Sequence, residues 1–279
     1  MNLIFTVVFL LFTGNLFGIL TQGQTDRKDV LEVFIDKHQP HQDTVLLRSS
    51  IGKDISLDKN EFFREDFYIV ERVRLAQAYA ITLDRLNPTS DTLFKAAIQT
   101  ALLIERRDLH IWANLAYGFY LYTYRLPAKA MPYFVRVMQE IDQLPESSII
   151  QAADSYKKMA YFLTTLGDQQ GSIQYLKLAQ KHAQPESIAL GDILNSIGRC
   201  YFKLQDYKQA DTYYQQALKA SQSIGDYLRE AKVWGDLAEL YQVRQEFGKA
   251  EQALQRDISL SEQYNNPQNT MYAQILLAK

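Results

Sequence analysis

The chain has 279 residues, 47% of them hydrophobic, with 30 Lys+Arg against 32 Asp+Glu and a formal net charge of −2. The two signs are mixed along the chain and no basic block stands out, so nothing electrostatic points to nucleic acid, whose binding is dominated by phosphate contacts. Cys200 is the single cysteine, which excludes an intrachain disulfide and a cysteine-cluster metal site. The 12 Gly and 7 Pro are few beside the abundant Tyr, Leu, Ala and Gln, a balance that favours helix over sheet.

Residues 3–20 are almost wholly apolar, and Thr21-Gln22-Gly23 then offers small residues before a cut ahead of Gln24. No Lys or Arg precedes the apolar run, so residues 1–23 read as a signal peptide with an uncleaved N-terminal anchor as the alternative. Eighteen residues broken by Gly14-Asn15 are short for a membrane span of about 20. The mature chain is therefore expected to be exported and periplasmic, with membrane tethering left to an anchor or to a span further downstream.

Residues 24–60 form an irregular segment with little pattern. His38 and His41 lie close in sequence, but Pro40 breaks the helix that would aim them together and no further ligands follow at suitable spacing, so they read as loop histidines rather than a metal site. Ser50-Ile-Gly-Lys53 and Ser155-Tyr-Lys-Lys158 match the spacing of acyl-serine enzymes, without the other elements such chemistry needs. No Gly-rich phosphate loop and no His-Glu-x-x-His appears. The sequence calls for no catalytic residues, no metal and no cofactor.

Helical periodicity starts near Glu61 and runs on. Phe67 to Leu83 predicts a long amphipathic helix ended by Asn87-Pro88; Ser90 or Asp91 is expected to cap the next, which closes near Arg106-Arg107-Asp108. Four helix pairs then share one pattern. Their first helices carry Trp112, Leu115, Ala116 and Phe119; Tyr156, Met159, Ala160 and Leu163; Leu194, Ile197, Gly198 and Tyr201; Trp234, Leu237, Ala238 and Tyr241. Their second helices carry Ala130 and Phe134, Ser172 and Leu176, Ala210 and Tyr214, Ala250 and Leu254. The small residue at each crossing lets two helices approach, and large neighbours fill the grooves beside it. The small positions 198, 238 and 278 are each forty apart, so Lys279 is expected to end the chain inside a sixth unit. The aromatic residues of the pattern read as packing, Cys200 as a small buried residue, and His110 and His182 as ordinary surface or capping residues.

With these positions in place, the chain resembles the tetratricopeptide repeat family. The resemblance implies an all-α fold over 61–279: a right-handed superhelical array of antiparallel helix pairs, a TPR-like α-solenoid with its last unit truncated. The spacing departs from the family's usual period of about 34 residues, and such long units look like those of bacterial peptide-responsive regulators and sensor proteins. The family implies a non-catalytic scaffold that takes a protein or peptide in a groove lined by first-helix residues. Here the matching places include Tyr117 and Tyr120; Asp154, Lys157, Tyr161 and Thr164; Asp192, Asn195, Arg199 and Phe202; and Lys232, Glu239 and Gln242. An extended peptide or a partner helix is the expected ligand. The family's grip on a terminal carboxylate is not matched, because Tyr161, Arg199 and Glu239 stand where Asn is needed. Two roles fit: the exported sensory input region of a larger bacterial signal-transduction protein, with a histidine kinase or helix-turn-helix output beyond Lys279, or a stand-alone exported adaptor assembling envelope complexes.

Overall fold

The computed structural model describes residues 64–277. The readings made on 1–60, from the signal segment to the His38–His41 pair, lie outside the described residues, as does Ala278. Among the described residues there are eleven α-helices and no strand, as the periodicity predicts. They fall into two compact units, Met1–Gln151 and Ala152–Lys279.

The first unit holds α1 (Arg64–Leu83), α2 (Pro88–Leu103), α3 (Arg107–Thr123) and α4 (Pro127–Ile141). Each of α1/α2 and α3/α4 is a hairpin, and α3 packs back on both α1 and α2. The start of α2 differs from expectation. Asn87 is its N-cap, accepting a bond from the Ser90 amide at 2.8 Å, and Pro88 occupies the first helical position, where its missing N–H costs nothing. Asn87-Pro88 thus starts a helix. Likewise α2 ends at Leu103, and Arg107 and Asp108 already belong to α3. The Arg106 guanidinium between them is held by Asp66 of α1 and by Asp108, 2.7 Å away. His110 is not a surface residue: α3 is buried on nearly all sides from Leu109 to Gly118, and His110 Nδ1 lies 3.0 Å from Glu140 Oε2 on α4.

The second unit repeats one hairpin three times and then begins again. Its helices are α5 (Ala152–Thr165), α6 (Gln169–His182), α7 (Ile188–Lys203), α8 (Tyr207–Ile224), α9 (Tyr227–Val243), α10 (Phe247–Gln263) and α11 (Pro267–Leu277). Within a hairpin the first helix packs on the second, and each second helix packs on the next first helix. First helices also touch in succession, α5 on α7, α7 on α9 and α9 on α11. Leu194, Ala210, Tyr214, Ala217, Val233, Leu237 and Leu240 join three successive helices into one core, and Ala238, Ala253, Leu254 and Ala273 continue it to α11. Each fully buried leucine there contributes roughly 1.5–3 kcal/mol, and a single hairpin, with no partner for its outer faces, keeps only the part buried between its own two helices. Trp112 and Tyr156 are buried and Tyr201, Trp234 and Tyr241 half-buried against the core, so the aromatic positions of the repeat do pack.

One turn recipe recurs at seven of the ten helix junctions. A residue with positive φ follows the helix, and the next amide bonds back to a carbonyl five residues earlier: Asp206 to Tyr201 at 3.0 Å, Asp226 to Ser221 at 2.9 Å, Glu246 to Tyr241 at 2.9 Å. This is the Schellman closure. The positive-φ residue is Gly167 and Gly225 at two junctions, but Gln205, Gln245, Glu105, Arg125 and Asn265 elsewhere. Asp168, Asp206 and Asp226 then cap the following helix with their side chains.

Candidate functional site: the first-helix face of the second unit

In this stack of hairpins the first helices touch one another in succession, so they carry side chains that reach the neighbouring hairpin without being core. In the second unit these gather into polar clusters that bridge successive first helices. Asp192, near the start of α7, is the hub of the first. Its Oδ2 accepts from the Tyr161 hydroxyl of α5 at 2.7 Å and lies 3.4 Å from Lys157 Nζ; its Oδ1 lies 2.6 Å from Arg229 Nη1 of α9. Three helices are thereby tied through one carboxylate. Burial works against its charge, but Arg229, Lys157, the Tyr161 hydroxyl and Lys232 together hold the carboxyl below its ordinary range. Burial and the Asp192 charge in turn push the Tyr161 hydroxyl pKa up.

A second node lies one repeat on. Asn195 Nδ2 donates to Asp236 Oδ2 at 2.9 Å, while Asn195 Oδ1, in a residue only 1% exposed, has no partner among the described residues. Arg199 Nε stands 3.9 Å from Asp236 Oδ1 with its side chain half in solvent. Burial pushes the Asp236 carboxyl up, against the pull of Arg199, Asn195 and Lys232. Lys232 is exposed, yet surrounding protein desolvates it and Arg229 and Arg199 repel it, so its pKa is lowered. Further on, the Tyr272 hydroxyl of α11 donates to Glu239 Oε1, and that bond with burial pushes it up to about 12.

The structure brings Lys157, Tyr161, Asn195, Arg199 and Glu239 of the predicted set into these clusters. Gln242 bonds the Leu276 carbonyl, at 3.5 Å. Phe202 is half-buried, packed on the core and 5.7 Å from the Tyr207 ring. Tyr117 and Tyr120 differ from expectation. They belong to the first unit and are 2% and 5% exposed, both packed on Phe94; the Tyr120 hydroxyl accepts from the Asn87 amide at 2.8 Å. An aromatic surface for ligand is not what they form: α3 is enclosed by neighbours, and its groove-position residues became core. Arg229, Asp236 and Tyr272 were missed. Tyr272 stands forty residues beyond Lys232, so shifting the predicted face by one repeat would have found it, whereas Asp236 stands forty beyond Ser196, which is not among the predicted positions, and Arg229 precedes the matched positions of its helix.

Chemically, the face offers charged and hydrogen-bonding groups already fixed by one another. Among the described residues there is no group of metal-ligating side chains and no helix long and apolar enough to cross a membrane. Cys200 is 2% exposed, with its thiol pushed up by burial, and contacts the Ser172 hydroxyl at 3.5 Å.

The fold defines a helical-repeat protein built from stacked hairpins. Residues 189–263, spanning α7 to α10, match the Tetratricopeptide repeat family. A search of curated protein sequences finds no significant match. Solved structures share the fold at low identity. A Signal Transduction ATPase with Numerous Domains protein with a tetratricopeptide repeat sensor from Pyrococcus horikoshii is 17% identical with a TM-score of 0.62, over 90% of this chain and 37% of that one. The apo form of RapI is 14% identical at a TM-score of 0.64, over 90% of this chain and 68% of that one. Aspartyl phosphate phosphatase F from Bacillus subtilis is 13% identical at a TM-score of 0.59, over 93% of this chain and 70% of that one.

Proposed function

We propose that the chain is a non-catalytic scaffold that takes an extended peptide or a partner helix across the first-helix face of its second unit. We propose further that it serves as the exported sensory input region of a larger bacterial signal-transduction protein. One observation carries the binding reading. Tyr161, Asp192 and Arg229 are held by one another across three successive first helices, and Asn195 and Asp236 hold each other across the last two, so polar groups are fixed before a ligand arrives and less side-chain entropy is lost on binding. Repeat stacks use such faces because the ligand need supply only an extended chain or a single helix.

The sensory role is supported by the shared fold with the repeat-sensor ATPase. Export is supported by the apolar run at 3–20 and the small residues before Gln24. Selection of a displayed peptide library on the full chain tests the binding reading: a recovered peptide should lose affinity when Asp192 or Asn195 is changed and keep it when α8 surface residues are changed. Recovery of peptides indifferent to α5, α7 and α9 would overturn it. Mass spectrometry of the chain after secretion should show a mature N-terminus near Gln24; an intact Met1 in the cytosolic fraction would contradict export.

A further inference from the structure

The α9–α10 hairpin departs from the α7–α8 hairpin at one crossing. Forty residues on, Gly235 of α9 stands where α7 carries Asn195, and Asp257 of α10 stands where α8 carries Ala217. The polar group has moved from the first helix to the second. A Cβ added to Gly235 would lie 2.7 Å from Asp257 Oδ2, so the glycine is the space the carboxyl enters. Asp257 is 1% exposed there, and its Oδ2 has no partner among the described residues.

The other oxygen holds α11. Asn269 Nδ2 donates to Asp257 Oδ1 and, at 2.7 Å, to Ser261 Oγ. Little else seats this helix. Ala273 is its one buried residue among those described, resting on Ala238, Ala253 and Leu254. Two more bonds join it to α9, from Tyr272 to Glu239 and from Gln242 to the Leu276 carbonyl. No cation answers the Asp257 carboxyl. From Pro267 to Leu277, α11 carries no charged residue. On α9, Arg229 pairs with Asp192, Lys232 is drawn to Asp236 and Asp192, Glu239 takes Tyr272, and the Asp236 charge repels Asp257. On α10 itself Arg256 lies 3.4 Å from Glu230 of α9, while Lys249, Glu251 and Glu262 are exposed. An ionised carboxyl buried without a cation is costly, whereas its protonated form carries no charge.

We infer that Asp257 is a proton-operated latch for α11: protonated, it keeps α11 seated on the α9–α10 hairpin, and its ionisation loosens α11 and bares the apolar seat of Ala238, Ala253 and Leu254. Burial pushes the carboxyl up to about 6, above the ordinary value of about 3.9. Seating is therefore fully favoured below the ordinary value and weakens as pH rises through about 6.

Amide hydrogen exchange of the full chain at about pH 5 and about pH 7.5, corrected for the intrinsic effect of pH on exchange, reads this opening. In the wild type, α11 should open about tenfold more at the higher pH, with α7 and α8 unchanged. Asp257→Asn should make the protection of α11 equal at the two pH values. Asn269→Ala, which leaves the carboxyl but removes the bond from α11, should speed exchange of α11 at both. Equal opening of wild-type α11 at the two pH values overturns the latch. So does a tenfold difference that survives in Asp257→Asn, protection of α11 untouched by Asn269→Ala, or a loosening spread equally over α7 and α8.

Discussion

Gly198 of α7 lies so close to Tyr214 of α8 that a Cβ added to it would stand 2.5 Å from the tyrosine Cδ1 and 3.3 Å from the Ala210 carbonyl oxygen. Tyr214 is itself 1% exposed, so the ring has nowhere to retreat. This pair is the crossing point of the hairpin: the missing side chain on one helix is the space filled by the large one on the other.

Gly198→Ala should therefore destabilise. Replacing Gly in a helix gains about 1 kcal/mol of propensity, but overpacking at a closed crossing costs roughly 1–3 kcal/mol, and the 2.5 Å approach to a buried ring puts this site at the upper end. Gly248→Ala, in the first turn of α10 with nothing within 4 Å of the new methyl, keeps only the gain. Urea unfolding of the two variants should move in opposite directions; a Gly198→Ala midpoint at or above wild type would contradict the crossing.

The turns supply a second expectation. Gln205 and Gln245 hold φ of 61° and 62°, a conformation that costs a non-glycine residue roughly 1 kcal/mol. Gln205→Gly and Gln245→Gly should each stabilise by about 0.5–1 kcal/mol, less the entropy that glycine adds to the unfolded chain. Thermal melting checks it, with Gln209→Gly inside α8 as the destabilising comparison.

Asp257 sets the neutral side of the pH profile. It is 1% exposed, bonded by Ser261 at 3.0 Å and by Asn269, and its Oδ2 has no partner among the described residues. Burial pushes its carboxyl up to about 6. A carboxyl raised above its unfolded value of about 3.9 favours folding fully below that pH, and the contribution is lost as pH rises through the folded pKa near 6. Asp257→Asn should remove that decline and stabilise at pH 7 by on the order of 1–3 kcal/mol. The difference between variant and wild type should vanish near pH 4; a difference independent of pH would rule the carboxyl out as its source.

Asp192 acts in the opposite sense. Its carboxyl is held below the ordinary range, so its contribution is present above the unfolded value of about 3.9 and disappears as pH falls through the lower folded value. Asp192→Asn should cost about 1–3 kcal/mol at pH 7, chiefly by leaving Arg229 and Lys157 without their carboxylate, and should blunt acid unfolding measured by circular dichroism.

Much of the fold could be read in advance because close packing forces a small residue at each crossing, and Ala160, Gly198 and Ala238 recur at a step of 38 to 40. Turns were legible only where glycine marks them, at Gly167 and Gly225; Gln205 and Gln245 adopt the same backbone and carry no compositional signal. Asn87-Pro88 misled because a residue that stops one helix is equally suited to start another. The candidate face was partly legible. Periodicity placed Tyr161, Asn195 and Arg199 on it, but whether a first-helix residue is covered depends on its neighbours, and that is why Tyr117 and Tyr120 became core. Partnering across helices, such as Arg229 with Asp192, depends on side-chain reach that spacing does not encode.

Hydrogen exchange of the full chain, with and without a peptide recovered by selection, tests the central claim most directly. The account predicts slowed exchange concentrated in α5, α7 and α9, around Tyr161, Asn195 and Asp236, with α6, α8 and α10 unchanged. Protection confined to α6, α8 and α10, or to the first unit alone, would contradict it.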